Sequence, residues 1–409
     1  MLRQLLVRSL LLLQFPLVSH ASNELHVSLL LINATQRNAY HDAIDDFSRK
    51  NPDIEVFVKD FESEYYKANV KSWLVSERHS DVMYWFSGQR LKEFISKGWV
   101  KELDSLWEGS GWSNQFTLGA ESSVTFAGRK YALPVHYYPW AIYYKKSLFQ
   151  RLSIDPPTSW KTFLEACEKL QQNNITPLIL GSKYKWTLSI WFEYLNLRLN
   201  GLKFHQELLS GTASYKDPRV INVFEHWRIL VDKGYFLDGH EHLTWRDVVP
   251  YLYRDKGGMT LLGSFWTSDI PSSFYDDIGM VSFPVIDSQI PVYEQAPTDV
   301  FMIPSNVRNE SGAQRFLQYL ALPEVQTKLS NAFGMLAPNP INVDSDDHLL
   351  NKSYQILDEA AGLSQFYDRD NPEPISTEGM NEFARFVDDP NQLSEVLDEL
   401  ERLRAISFK

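Results

Sequence analysis

The sequence predicts an α/β protein of two lobes, each a mostly parallel sheet flanked by helices. Strand and helix patterns alternate from residue 24 onward, which is how parallel sheets covered by helices are encoded. A helix-rich middle then gives way to strand patterning again near residue 278, so the chain resumes sheet-building after a long excursion. At 409 residues the chain is also too long for one compact core.

The elements follow in order. Glu24 to Asn33, "ELHVSLLLIN", alternates and then runs apolar, as a strand buried on both faces does. Next, Tyr40, Ala43, Ile44 and Phe47 mark an amphipathic helix that Asn51-Pro52 closes. "IEVFVKDF" reads as the second strand, a helix surrounds Tyr65 to Val75, and "SDVMYWF" reads as the third strand. Ligands of such sheets bind beyond the carboxyl ends of the strands. Asn33, Ser63 to Tyr66 and Trp85 to Arg90 are therefore expected along one edge.

"LPVHYYPWAIYYKKSLF", Leu133 to Phe149, is strand-like and dense in aromatics, and reads as the first crossing between lobes. Helical patterns follow at Trp160 to Gln172, Trp186 to Leu199, Pro218 to Lys233 and Trp245 to Tyr253, before the short strand "GGMTLLGSF". "IGMVSFPVI" and "VFMIPS" return to strand, a proline-broken helix pair follows, and the tail from Gly379 to Ala405 is helical. No repeat and no Gly/Ser linker interrupts the chain, so several crossings are expected to join the lobes.

A formal net charge of -12 and a pI near 5.4 argue against a nucleic-acid partner, because displacing counterions from a polyanion needs concentrated Lys and Arg. Aromatic residues make up 14% of the chain, with 12 Trp and 20 Tyr, and that surplus points to stacking surfaces. Arg3 and Arg8 precede an apolar run from Ser9 to Val18, and Ser19-His20-Ala21 supplies small residues at the cleavage positions. An export signal cut near Ala21 is expected, with a periplasmic mature protein and no lipid-anchor cysteine. The one cysteine, Cys167, lies on the apolar face of "SWKTFLEACEKL" and reads as a core residue. No zinc motif, nucleophile elbow or phosphate-binding glycine loop is present, so no cofactor or metal is expected.

"YALPVHYYPWAIYYKKSLF" leads into "PPTSWKTFLEACEKLQQNNITPLILGSK", and "GMTLLGSFW", "IGMVSFPVI", "DVFMIPS" and "AQRFLQYLALPEVQTKLSNAFGMLAPN" follow in that order. Together these motifs resemble the extracellular solute-binding proteins of bacterial ABC importers, in the sugar-binding branch that includes maltose-binding protein. The resemblance covers nearly the whole mature chain. One departure is Tyr144-Lys145, where Tyr-Asn is usual, and it bears on turn capping. The resemblance implies a periplasmic-binding-protein (flytrap) fold, closing about a hinge on a ligand between the lobes. Its crossings imply a first lobe of residues 22–136 and 285–337 and a second of 137–284 and 338–409, after a leader of 1–21. It further implies a monomer that binds a carbohydrate and delivers it to the membrane subunits of an ABC permease.

A sugar has a weakly apolar C–H face that lies on an aromatic ring, and hydroxyls that need partners once water is excluded. By the resemblance, Trp85, Tyr138 and Trp266 fall at ligand-side positions. Trp85 serves equally as a lid over the sheet edge. Trp140 shares the strand face of Tyr138 and is either a contact or hinge packing. Trp186 and Trp191 open the helix after "LILGSK", and one of the two is expected in the core. For hydroxyls, the candidates are Glu64 with Tyr65, then Ser87, Gln89 and Arg90, then Glu193 and Asp299, since an ionised acid accepts from two adjacent hydroxyls. "FYDRDNPEP", around Tyr367, is expected to border the cleft. Two other readings stay open: a secreted glycoside hydrolase with two cleft carboxylates, and a flytrap for a non-sugar solute.

Overall fold

The computed structural model of the chain describes residues 23–76, 80–339 and 346–408. The leader expected over residues 1–21 lies outside them. In chain order the strands are β1 (Glu24–Leu31), β2 (Glu55–Glu62), β3 (Val82–Phe86), the short hairpin β4 (Thr125–Phe126) and β5 (Arg129–Lys130), β6 (Ala132–Tyr137), β7 (Trp140–Lys145), β8 (Thr176–Leu178), β9 (Gly257–Gly263), β10 (Ile278–Val281), β11 (Tyr293–Gln295), β12 (Thr298–Met302) and β13 (Gly362–Ser364).

Two sheets carry the architecture, one in the order β2-β1-β3-β12-β6 and the other in the order β10-β7-β9-β8. In the first, β1 pairs in parallel with β2 and β3, while β12 is antiparallel to both neighbours. In the second, β8 and β9 are parallel and β7 runs against β9 and β10. Each sheet thus has one strand running counter to the rest. The reason is common to both. Strands native to a sheet end at the edge facing the other lobe, whereas β7 and β12 arrive from the other lobe and begin at that edge.

Burial patterns match these roles. All five residues of β3, "VMYWF", are buried, as befits a central strand covered on both faces, whereas edge strand β2 has no fully buried residue. Cys167 is fully buried among Phe163 and Leu170 on its helix face.

Among the described residues the chain passes between the sheets three times. The first pass is Tyr137 to Trp140, and the second lies between β10 and β12. The third follows the helix Pro323–Phe333, because the next helix, His348–Asp358, already packs on β10. Passes one and three are zipped together: the Tyr137 N–H donates to Leu336 O at 3.1 Å and the Leu336 N–H donates back at 2.8 Å. Gly334 turns there with φ +64, and a Cβ would collide with Thr267 Oγ1, so only glycine fits.

The helix predicted for Trp186 to Leu199 continues to Leu209 across a break at Gly201, whose φ of 75° is outside helical space. Behind it, Arg198 donates to Glu294 Oε1 at 2.6 Å and to Phe283 O at 3.1 Å, pinning the second pass to this helix. Both ions are buried, so removing either alone strands a charge in the interior.

Candidate functional site

A cavity lies between the two sheets, where the strand ends of both converge. From the first sheet come Leu30 of β1 and Ile32 just beyond it, Glu62 at the end of β2 with Ser63 and Glu64 after it, Tyr84 and Phe86 of β3, and Asp299 at the start of β12. From the second come Trp140 of β7, Phe265 after β9, and Tyr184, Trp186 and Thr244 to Arg246. Phe366, Asp368 and Arg369, beyond β13, complete the lining. This is where ligands of parallel sheets are bound.

The rings form a continuous cluster. Trp140 stacks on Phe366 at 4.9 Å and 10°, and meets Trp186 edge-on at 5.8 Å. Phe265 is edge-on to Tyr138 at 5.4 Å, to Trp140 at 6.0 Å and to Trp245 at 5.6 Å. Such geometry is the favoured one for aromatic quadrupoles, and it fixes the indoles before any ligand arrives. Lys185 holds φ 64°, an unusual conformation for a side-chain-bearing residue, and its turn starts the helix that presents Trp186.

The polar side is built on Arg369. Its guanidinium donates to Asp299 Oδ1 at 2.8 Å and to the Tyr138 hydroxyl at 2.7 Å, and lies 4.0 Å over the Phe86 ring. Tyr84 donates to the other oxygen of Asp299 at 2.5 Å. Since the Tyr138 hydroxyl accepts from Arg369, its own proton remains to be donated to a ligand. Burial raises the Asp299 carboxyl above the ordinary range, with Arg369 and Tyr84 pulling it back. Arg369 itself is held charged by Tyr138, Asp299 and Asp368 against the cost of burial. Asp368 accepts from Arg90 at 2.8 Å, Glu64 from Lys67 at 2.6 Å, and Glu62 from the Glu64 and Tyr65 backbone N–H groups at a helix N-terminus. The carboxylates of the lining are thus each matched by a cation or by amides.

Across the rim the lobes touch. The Arg246 guanidinium donates to the Ile32 carbonyl, and Asn33 Nδ2 donates to Ser268 Oγ at 3.0 Å.

Of the residues singled out from sequence, Glu64, Tyr138, Trp140, Trp186 and Asp299 line this cavity. The others do not. Trp266 is fully buried and packs edge-on against Tyr143 at 5.1 Å, inside the second lobe. Its neighbour Phe265 faces the cavity instead. Trp85 is buried against Phe94 at 5.1 Å, because in a strand it points away from the face that Tyr84 and Phe86 present. Trp191 sits among Phe163, Phe236 and Phe283 in the core. Ser87 is buried and donates to Gln365 at 3.2 Å. Gln89 lines a separate groove with Trp85 and Lys71. Tyr65 is 57% exposed and stacks on Phe61 outside the cavity. Glu193 is fully buried, 3.3 Å from Gln295 Nε2 and 3.6 Å from His205 Nε2, and burial raises its carboxyl well above the usual range.

Sequence reasoning missed Phe86, Trp245, Phe265, Phe366 and Arg369 as individual residues. Phe366 and Arg369 fall in the "FYDRDNPEP" segment expected at the cleft, and strand alternation from Tyr84 would have found Phe86.

Comparison with known proteins agrees with the geometry. The family model of bacterial extracellular solute-binding proteins matches residues 33–327. Two ABC transporter extracellular-binding proteins of Pyrococcus horikoshii are each 23% identical. One aligns over 74% of this chain and 69% of its own length, and the other over 79% and 75%. The solved bacterial solute receptor AcbH, which has an exclusive preference for β-D-galactopyranose, matches with a TM-score of 0.88 at 25% identity, over 94% of this chain and 99% of its own. RafE in complex with raffinose matches with a TM-score of 0.78 at 17% identity, over 94% and 100%. The chain belongs to the bacterial extracellular solute-binding protein family, the binding components of ABC transporters.

Proposed function

We propose that the protein binds a carbohydrate between its lobes and delivers it to the membrane subunits of an ABC permease. The observation that carries this reading is the division of the cavity into a wall of fixed rings and a wall of charges already paired within the protein. Apart from Arg246 at the rim, whose guanidinium meets a backbone carbonyl, the charges of the lining are balanced, which suits a neutral, hydroxyl-rich ligand better than a charged one at the inner end of the cavity. Paired carboxylates still accept from hydroxyls, and Tyr138 still donates. The contacts we assign are Trp140, Trp186 and Phe265 to the apolar face, and Tyr138, Asp299, Arg369 and Glu64 to the hydroxyls.

The sheet memberships of β1, β2, β3, β6 and β12 support residues 22–136 with a second segment ending near 337 as one hinged half, and 137–284 with 338–409 as the other. Because β11 pairs with β13 and Glu294 with Arg198, the second segment of the first half is better begun just before Thr298 than at 285. Membership in an extracellular family implies an exported protein, and a periplasmic site with leader removal near Ala21 fits the sequence of the first residues. The family and its solved relatives are binding proteins.

A thermal-shift screen with mono- and oligosaccharides tests the reading, since a ligand at a hundred times its Kd adds about 2.7 kcal/mol of stability. No shift with any sugar would reject it. Incubation with labelled oligosaccharides tests the hydrolase alternative: intact sugar is expected, and cleavage would favour a hydrolase.

A further inference from the structure

We propose that Glu193, in the interior of the second lobe, is a positioning residue for the cavity: it grips the segment Phe366–Asp370 from behind and so sets where Arg369 stands. Its effect on ligand affinity rests on the carbohydrate reading above, whereas the grip itself can be measured without a ligand.

Glu193 lies in the helix Trp186–Leu209, fully buried beside three other buried polar side chains, Asn196, His205 and Gln295. Along an unbroken helix the twelve-residue step to His205 would span about 18 Å, at ~1.5 Å per residue. The break at Gly201 turns the chain back instead, and His205 Nε2 comes to 3.6 Å from Glu193 Oε1.

The hydrogen bonds around the imidazole fix its tautomer. Asn200 Nδ2 donates to the Arg219 carbonyl at 3.4 Å and to Asn196 Oδ1 at 2.8 Å. The Asn196 amide nitrogen is therefore the group that faces His205 Nδ1, at 3.1 Å, and Nδ1 accepts. Burial pulls the His205 pKa down to about 3, so the ring is neutral and its one proton sits on Nε2, toward Glu193. Gln295 Nε2 donates to the same carboxyl oxygen at 3.3 Å.

The Tyr367 backbone N–H acts on this carboxyl as a further donor. It is one of the donors that a helix leaves unpaired in its first turn. Gln295 stands opposite Ser364 in the β11–β13 ladder, so Glu193 also braces the strand that leads into the segment. On the front of that segment Phe366 stacks on Trp140, Asp368 accepts from Arg90 and Arg369 donates to Asp299. Arg90 and Asp299 belong to the first lobe and leave when the hinged halves part. Glu193 stays, and keeps Arg369 in place for an incoming ligand.

Burial, with the carboxylates of Asp368 and Asp370, raises the Glu193 carboxyl well above its ordinary range. The other titratable groups facing it are His205, already neutral, and the Tyr215 and Tyr367 phenols, which burial pushes up. The folded state thus holds this proton more tightly than the unfolded chain. The grip is firmest at low pH and weakens as the pH rises through the raised value, when a new charge appears beside Asp368 and Asp370.

The test is amide hydrogen exchange of the ligand-free mature protein, followed by titration with whichever sugar of the thermal-shift panel gives the largest shift. In Glu193→Met, exchange over residues 364–371 is expected to quicken by about tenfold or more, with residues 24–31 and 132–137 unchanged and Kd about tenfold weaker. Glu193→Gln, which keeps the shape and a carbonyl acceptor, is expected to match the parent in both at pH 7. From about pH 5 to about pH 9, protection of the segment should fall further in the parent than in Glu193→Gln. The Asp370 titration, common to both, cancels in that comparison, which decides the matter even if Glu193→Met does not fold. Parallel pH profiles, or exchange that quickens equally in every peptide of Glu193→Met, would overturn the inference. A loosened segment with unchanged Kd would deny Glu193 any part in the cavity. Binding of no sugar in the panel would overturn the carbohydrate reading and leave the exchange result to decide the grip.

Discussion

The two walls of the cavity differ in kind. The second lobe contributes mainly rings, with Trp140, Trp186, Trp245 and Phe265 in mutual contact. The first lobe contributes mainly charge, with Glu62 and Asp299 on its strand ends, Glu64 and Lys67 on the helix that follows β2, and Arg369 docked against Asp299. A sugar ring has the same two-sidedness, apolar across its face and polar around its edge. The difference teaches that neither lobe alone is complementary to such a ligand. Each lobe can hold only part of it, so affinity depends on closure. A ligand that drives the lobes from mostly open to mostly shut must favour the shut form by about 5.5 kcal/mol.

The strongest way to break this contrast is to remove the charge that organises the first wall. Arg369→Ala leaves Asp299 buried without its cation, and a loss of about 3–5 kcal/mol is expected in urea denaturation, together with loss of sugar binding. The double variant Arg369→Met with Asp299→Leu should regain much of that stability and none of the binding. Recovery of both would show the ion pair to be scaffolding alone.

A smaller effect sharpens the second wall against the core behind it. Trp266→Ala empties a fully buried site, so a stability loss of about 3–5 kcal/mol is expected with Kd unchanged in the protein that remains folded. Trp186→Ala removes a half-buried ring at the cavity, and the opposite pattern is expected: about tenfold weaker binding, roughly 1.4 kcal/mol, with little change in Tm. Paired melting curves and titrations separate the two, and equal effects on Kd would erase the distinction between lining and core.

The smallest effect concerns acid carried just behind the charged wall. Burial raises the Asp370 carboxyl from 3.8 to about 6, opposed by a hydrogen bond from the Gln89 backbone. The folded state therefore holds this proton more tightly than the unfolded state. Its contribution to stability is greatest below about pH 4 and is lost as the pH rises through about 6. Asp370→Asn should accordingly raise Tm at pH 7 relative to the parent and leave it nearly unchanged at pH 4. A rise of equal size at both values would point to packing and not to titration.

Much of the fold was legible because it is written in periodicity. Alternating apolar runs located β1, β2, β3, β9 and β12, and the absence of a linker foretold multiple crossings. The site was legible by segment and less so by residue. "FYDRDNPEP" was placed at the cleft, yet Arg369 at its centre was not singled out, because a charge pattern in one sequence does not reveal a partner such as Asp299, 70 residues away. Trp266 and Trp85 misled for a different reason. A large indole draws attention, but which way it points depends on the phase of a short strand or turn, and a shift of one residue exchanges lining for core. Phe265 and Phe86, their neighbours, took the positions that size alone had given to tryptophan.

The placement of β12 between β3 and β6 reaches back to how the chain is made. Residues 132–137 have no neighbour in their sheet until residues 298–302 exist, whereas the strands of the other sheet all lie between residues 140 and 281. The sheet begun first is thus completed after the sheet begun second, although the second lobe still waits for its helices beyond residue 348, so neither lobe follows the usual N-terminal-first order in which domains mature during synthesis. In a chain of an exported family, the segment from residue 24 to 137 therefore stays without the strand that joins β3 to β6 until about three-quarters of the polypeptide has been made.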